Sequence, residues 1–199
     1  MKTVLNTAPT IEPITPEEVM IHCAIDDETG YWNDFITRAI KGARRKIEGV
    51  TRRALLTQTW DYYLDCFPSD DAFKLPFGNL QSVTHIKYTD SDGDQTTMTV
   101  TTEYIVETNG DQCGRIVLPY GESWPSFTAY TSNPIVIRFV CGWTTAALVP
   151  EEIKIACLLS AGEIFTNRES QYIGMPGQKY EINPSYMNLL NDYRLWEEF

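Results

Sequence analysis

Residues 47–66 read Ile47-Glu48-Gly49-Val50-Thr51-Arg52-Arg53-Ala54-Leu55-Leu56-Thr57-Gln58-Thr59-Trp60-Asp61-Tyr62-Tyr63-Leu64-Asp65-Cys66, and within them the hydrophobic period changes. On the upstream side Ile36, Ile40, Ala43, Ile47 and Val50 recur as one helical stripe, with Arg38, Lys41, Arg45 and Arg52 on the opposite face. Past Leu56 the period becomes two, and Trp60, Tyr62, Leu64 and Cys66 share one face of a strand. A helix gives way to a β-region here, so the fold depends on what lies to either side.

Upstream, Ile14-Thr15-Pro16-Glu17-Glu18-Val19 predicts another helix start. Thr15 can cap, Pro16 suits the first helical position, Glu18 closes a capping box, and Ile14 and Val19 hold the staple positions. Asp26-Asp27-Glu28-Thr29-Gly30 then breaks the chain and offers acidic groups to the next helix. Downstream, strand-like runs occupy 73–77, 82–88, 95–100, 104–107, 115–118 and 135–140, and Asp90-Ser91-Asp92-Gly93-Asp94 suits a hairpin turn. Short strands at this spacing predict a small antiparallel sandwich or barrel. Helix returns at Pro150-Glu151-Glu152 and continues through Ile153, Ala156, Cys157, Ser160, Ala161 and Ile164. After a polar loop at 174–184, a last helical stretch runs from Ser185 towards Trp196. The expected fold is α+β. A helical domain built from both chain ends (1–55 and 150–199) carries an inserted antiparallel β-domain (56–149).

Composition bounds the function. The 199 residues are 43% hydrophobic and 22% charged, an ordinary globular usage that rules out disorder and collagen-like order. The net charge is −11, unevenly spread. Residues 1–55 balance eight basic against eight acidic groups, whereas 56–149 hold four against eleven and 150–199 four against eight. Such acidity argues against a general binder of nucleic acid or anionic membrane. No apolar run approaches the roughly 18 residues of a membrane span, and the N-terminus lacks a long apolar core of a signal peptide. Five cysteines (23, 66, 113, 141 and 157) read as buried free thiols of a protein made in a reducing cytoplasm.

Chemistry-bearing patterns are weak. His22 and Cys23 are adjacent, and neighbouring helical positions point about 100° apart, so a nucleophile–base pair is not expected there. The acidic turn at 90–94 has Thr101 where a calcium loop requires its twelfth-position Glu, and a solvated hairpin is the plainer reading. Gly121-Glu122-Ser123-Trp124-Pro125 lacks the final Gly of a nucleophile elbow and the helix that should follow it. Phosphate loops, paired zinc cysteines and an H-E-x-x-H helix are absent from the sequence. No catalytic residue, metal or cofactor is expected, and the protein reads as a non-enzyme.

Two surfaces invite a partner. Arg38, Lys41, Arg44, Arg45, Lys46, Arg52 and Arg53 are seven of the 16 basic residues. They make either a solvated helix face, a contact for an acidic surface such as a neighbouring copy, or a phosphate contact. The C-terminal stretch places Leu189, Leu190, Tyr193, Trp196 and Phe199 where they either dock on the protein's own helices or enter a partner groove.

The segments from about residue 14 to 195 have a recognisable order. The markers are 14–19 with Ile25-Asp26-Asp27, then Ile47-Glu48 with 51–60, Leu80-Gln81-Ser82-Val83, and Tyr120-Gly121-Glu122-Ser123-Trp124-Pro125. Val136-Ile137-Arg138-Phe139 with Gly142 follow, then Val149-Pro150 opening a helix that ends near Asn167-Arg168-Glu169. In this order the chain resembles the head–tail connector (adaptor, or head-completion) proteins of tailed phages, prophages and gene-transfer agents. The resemblance implies a non-enzymatic virion protein in which about a dozen wedge-shaped subunits form a ring below the portal. That ring would extend the DNA channel without sequence-specific binding and meet a tail-side stopper or tail-terminator protein. It also implies that the C-terminal segment reaches the portal protein through Leu189, Leu190, Tyr193, Trp196 and Phe199, and it implies no membrane partner. Arg38, Lys41, Arg45 and Arg52 would then suit the seam between copies. A different class remains open: a calcium- or carbohydrate-binding β-module on a helical stalk, supported by the 90–94 turn and by exposed aromatics such as Trp124.

Overall fold

The computed structural model describes residues 2–27, 29–166 and 184–196, the side chains of 184–186 excepted. The chain divides into two compact units, one of residues 11–55 and 145–194, the other of 1–10, 56–144 and 195–199.

The first unit is helical. Helix α1 (Pro16–His22) starts as its sequence dictates. The Thr15 hydroxyl accepts the Glu18 amide at 3.2 Å while the Thr15 amide donates to the Glu18 carboxylate at 2.6 Å, and Ile14 and Val19 are both buried. Helix α2 (Asn33–Thr51) has no side-chain bond from its own cap residue. Asp27 acts instead, accepting the amides of Tyr31 (3.0 Å) and Trp32 (2.8 Å) and the Thr29 hydroxyl (3.0 Å). These bonds, chiefly the one from Trp32, hold its carboxyl below the usual range against a smaller desolvation effect. The α2 stripe buries Ile36, Ala39, Ile40, Ala43 and Ile47, and the helix ends at Arg52 in the left-handed region, φ 55°. Helix α3 (Glu151–Thr166) packs on α1 and α2, and α4 (Pro184–Asn191) packs on α2 and α3. Gly162 on α3 is a close-approach site, because a Cβ there would meet the His22 ring at 3.2 Å and the Cys23 sulfur at 3.3 Å.

A buried polar network ties this unit together. Arg44 donates to Glu12 and to Glu48, both at 2.8 Å, and Glu48 accepts the Leu55 amide at 3.1 Å. Burial pushes the nearby Cys157 thiol up to about 12, with Glu48 and Glu12 adding to the effect.

The second unit is β. Strands β1 (Lys2–Thr7), β2 (Gln58–Leu64), β8 (Ile135–Cys141), β4 (Leu80–Thr89) and β5 (Gln95–Thr97) lie in that order in one antiparallel sheet. Strands β3 (Ala72–Lys74), β7 (Arg115–Val117) and β6 (Ile105–Glu107) form a second, also antiparallel. Both sheets are open, so the barrel alternative is not realised. Central β8 alternates strictly, burying Ile135, Ile137, Phe139 and Cys141. The Asp90–Asp94 link is the expected hairpin turn, with the Asp90 carboxylate accepting the amides of Asp92 and Asp94 at 3.0 Å and Gly93 at φ 90°.

Two expectations are corrected. The N-terminal residues, read as part of the helical domain, form β1 and pair with β2 from Lys2↔Tyr63 to Thr7↔Thr59. A strand with only Val4 and Leu5 as apolar residues carries too little periodic signal to stand out, and long-range pairing alone makes it. Of the five cysteines expected to be buried, Cys113, Cys141 and Cys157 are, Cys23 is half-buried, and Cys66 is exposed because β2 ends at Leu64.

Candidate interaction surfaces

The basic residues of α2 and its end separate into two kinds. Arg44 and Arg53 are buried, the first by its two carboxylates and the second with its guanidinium donating to the Tyr193 carbonyl. Lys46 pairs with Glu163 at 3.4 Å. Arg38, Lys41 and Arg45 are exposed and make no ion pair among the described residues; Arg52 is exposed at the helix end. Their spacing of three and four residues places Arg38, Lys41 and Arg45 in one row.

The stretch 184–194 docks on its own helical unit. Leu190 is 1% exposed, Leu189 is half-buried, and the half-buried Tyr193 donates its hydroxyl to Glu152 at 2.9 Å. Trp196 is 69% exposed. Phe199 lies outside the described residues, as does the expected helix end at 167–169.

Two features of the β-unit escaped sequence reading. Trp124 is not an exposed aromatic. Its ring stacks on Phe67 with centroids 5.1 Å apart and planes 4° apart, and its Nε1 donates to the Asp70 carbonyl at 2.9 Å. Phe73, Tyr88 and Phe127 complete the cluster. Nearby in sequence, Pro119-Tyr120-Gly121-Glu122 makes a tight turn, with the Glu122 amide donating to the Pro119 carbonyl at 3.1 Å and Gly121 at φ 86°. Its tip, Tyr120, is fully exposed. The only sequence signal for this was the Tyr-Gly dipeptide after a proline.

The catalytic alternatives find little geometry. His22 and Cys23 both lie over Gly162, yet burial pushes the Cys23 thiol up, away from the thiolate a nucleophile needs. Ser123 sits in an irregular segment with no helix after it. Among the described residues no three His, Cys, Asp or Glu side chains gather as metal ligands. No helix among them is long and apolar enough to cross a membrane.

No protein-family model matches the sequence, and no curated protein matches it. Solved structures do. A chain in the neck of an empty gene transfer agent particle, computed with C6 symmetry, superposes at a TM-score of 0.81 with 19% identity. A chain of the virion of a native gene transfer agent particle gives 0.75 and 20%, and one in the neck of a native particle, computed with C12 symmetry, gives 0.72 and 18%. Each likeness covers 100% of this chain and 98% of the other. The chain has the fold of a gene transfer agent neck protein. That neck-protein fold includes the β-unit as well as the helices, since the whole length superposes, and it agrees with the connector resemblance read from the order of sequence segments.

Proposed function

We propose that this chain is a structural, non-enzymatic subunit of the neck of a tailed-phage or gene transfer agent particle. As a head–tail connector it repeats as a ring below the portal, extends the DNA channel, and offers the tail-side stopper or terminator its attachment. It is made in the host cytoplasm and ends at the head–tail interface of the particle. The observation that carries this reading is the end-to-end likeness at a TM-score of 0.81 to a chain of a particle neck. Chains of this fold stand in necks computed with C6 and C12 symmetry, which supports a ring. The net charge of −11 supports the channel role, because an acidic ring repels phosphates and lets DNA slide.

In this reading the Arg38, Lys41, Arg45 and Arg52 face is the seam towards an acidic neighbour, and Trp196 with Phe199 leads the C-terminal segment to the portal. Leu189, Leu190 and Tyr193 hold that segment on its own helices. The β-module alternative loses its supports, since the Asp90 carboxylate is taken up by the turn and Trp124 by packing.

The test is co-purification of the tagged chain with the portal protein of the same particle, followed by imaging. A ring of this chain stacked on the portal is expected. No association between the two folded proteins would overturn the connector reading.

A further inference from the structure

The Tyr120 side chain makes no contact with a partner among the described residues. It is fully exposed and makes no ring contact, and the Glu122 carboxylate beside it makes no hydrogen bond or ion pair among the described residues. The main chain that carries the pair is nevertheless fixed. The 119–122 turn closes on its own hydrogen bond, and two residues past Glu122 the chain is pinned by Trp124, stacked on Phe67 and bonded to Asp70. An aromatic carried on a fixed turn costs little main-chain entropy on docking, and a tyrosine ring has few rotamers to lose.

The row Arg38, Lys41 and Arg45 on α2 has the complementary chemistry. It offers cations that no carboxylate of the described residues neutralises, at a spacing that leaves a shallow line of guanidinium and ammonium groups. A tyrosine ring packs against guanidinium by cation–π attraction, and an adjacent carboxylate pairs with the next cation along the row. The net charges favour the same match, zero for residues 1–55 and seven more acidic than basic groups in 56–149.

We infer that the Tyr120–Glu122 turn of one copy docks on the Arg38–Lys41–Arg45 row of a second copy of this chain. The two patches differ, so the contact is head-to-tail and generates a ring when its rotation closes. This inference rests on the connector reading and names the surface of the neighbour that meets the basic row.

The test uses the full chain bound to the portal protein, with Cys66 and Cys23 replaced by Ser. Cysteines flank the proposed contact so that its own residues stay intact: one chain carries Ser123→Cys, a second Asp34→Cys on the helix face of the basic row, and a third, as a control on the exposed 90–94 turn, Asp92→Cys. A short bis-maleimide should link the Ser123→Cys and Asp34→Cys chains into a dimer only when the two are mixed, and should leave the Asp92→Cys and Asp34→Cys mixture unlinked. In the unmodified background, Tyr120→Ala and Glu122→Arg should each weaken ring formation by about tenfold. Combining Glu122→Arg with Arg45→Glu should recover part of the loss. Rings visible on the portal with no link between positions 123 and 34, or with a link from position 92 instead, would overturn this contact and leave the connector reading standing. Absence of any ring would remove both.

Discussion

Arg138 sets its guanidinium squarely on the carboxylate of Asp61, Nε to Oδ1 at 2.7 Å and Nη2 to Oδ2 at 2.9 Å, between directly opposed positions of β2 and β8. The Asp61 side chain is only 7% exposed and takes a third bond from Asn6 of β1 at 3.3 Å, so three neighbouring strands share one carboxylate. A forked pair of this kind is geometrically specific as well as strong. Asp61→Asn should therefore destabilise the β-unit by about 2 kcal/mol. Urea unfolding followed by tryptophan fluorescence checks it; a loss below a few tenths would mean that the pair is incidental.

The same bonds set an acid limit. The Arg138 guanidinium holds the Asp61 carboxyl below the usual range, and the Trp32 amide chiefly does so for Asp27, so the unfolded chain takes up protons first as pH falls. Their stabilisation is complete above the ordinary carboxylate value of about 4 and is lost as pH drops through the lower folded values. Burial, with Lys87 and Arg138, also holds His85 below its usual value, which adds a gentler decline starting near pH 6.5. Melting temperatures from pH 8 to pH 3 should show both limbs. Asp27→Asn should lower the melting temperature at pH 7, and its gap to the parent should narrow as pH falls below about 4.

Neighbouring arginines should behave oppositely. Arg44→Gln leaves Glu12 and Glu48 facing one another with no cation between them and should cost about 3 kcal/mol. Arg45→Glu alters an exposed side chain and should leave stability within about 0.5 kcal/mol while weakening assembly. Thermal melts alongside portal co-purification separate the two effects.

Gly142 should accept no side chain. Its φ is 100°, and a Cβ would stand 2.2 Å from the Leu56 carbonyl oxygen, against backbone that cannot yield. Gly142→Ala should cost about 4 kcal/mol or more. Gly110→Ala, also at positive φ but in open space, should cost about 1 kcal/mol and serves as the control.

At the C-terminus, Leu190→Ala should cost about 3 kcal/mol by opening a cavity, whereas Trp196→Ala, at a largely exposed ring, should cost less than about 1 kcal/mol and reduce portal capture. The point variant is a cleaner test than deletion from residue 186 onwards, which would also remove Leu190 and the Tyr193 contacts with Glu152 and Arg53.

The Thr15–Glu18 box, the α2 stripe and the turn at 90–94 were all legible in the amino-acid order, because each is decided within a few residues by a cap, a periodicity or a side chain folding back on its own backbone. The change of period near residue 56 likewise announced an insertion of β-structure into helices. Interaction sites were legible only as composition: seven cations near α2, and a run of aromatics at the end. Which cations remain available was decided by distant partners. Arg44 is drawn inward by Glu12, 32 residues away, and Arg53 by the Tyr193 carbonyl, 140 residues away, while Arg45 beside them faces water. The same holds for β1, which exists only because β2 arrives beside it, and for Trp124, packed on Phe67 while Tyr120 four residues earlier faces water. Local order thus determined where helices and strands begin. Burial of a charge or exposure of a ring waited for the tertiary structure, because each depends on groups that only folding brings within a few ångströms.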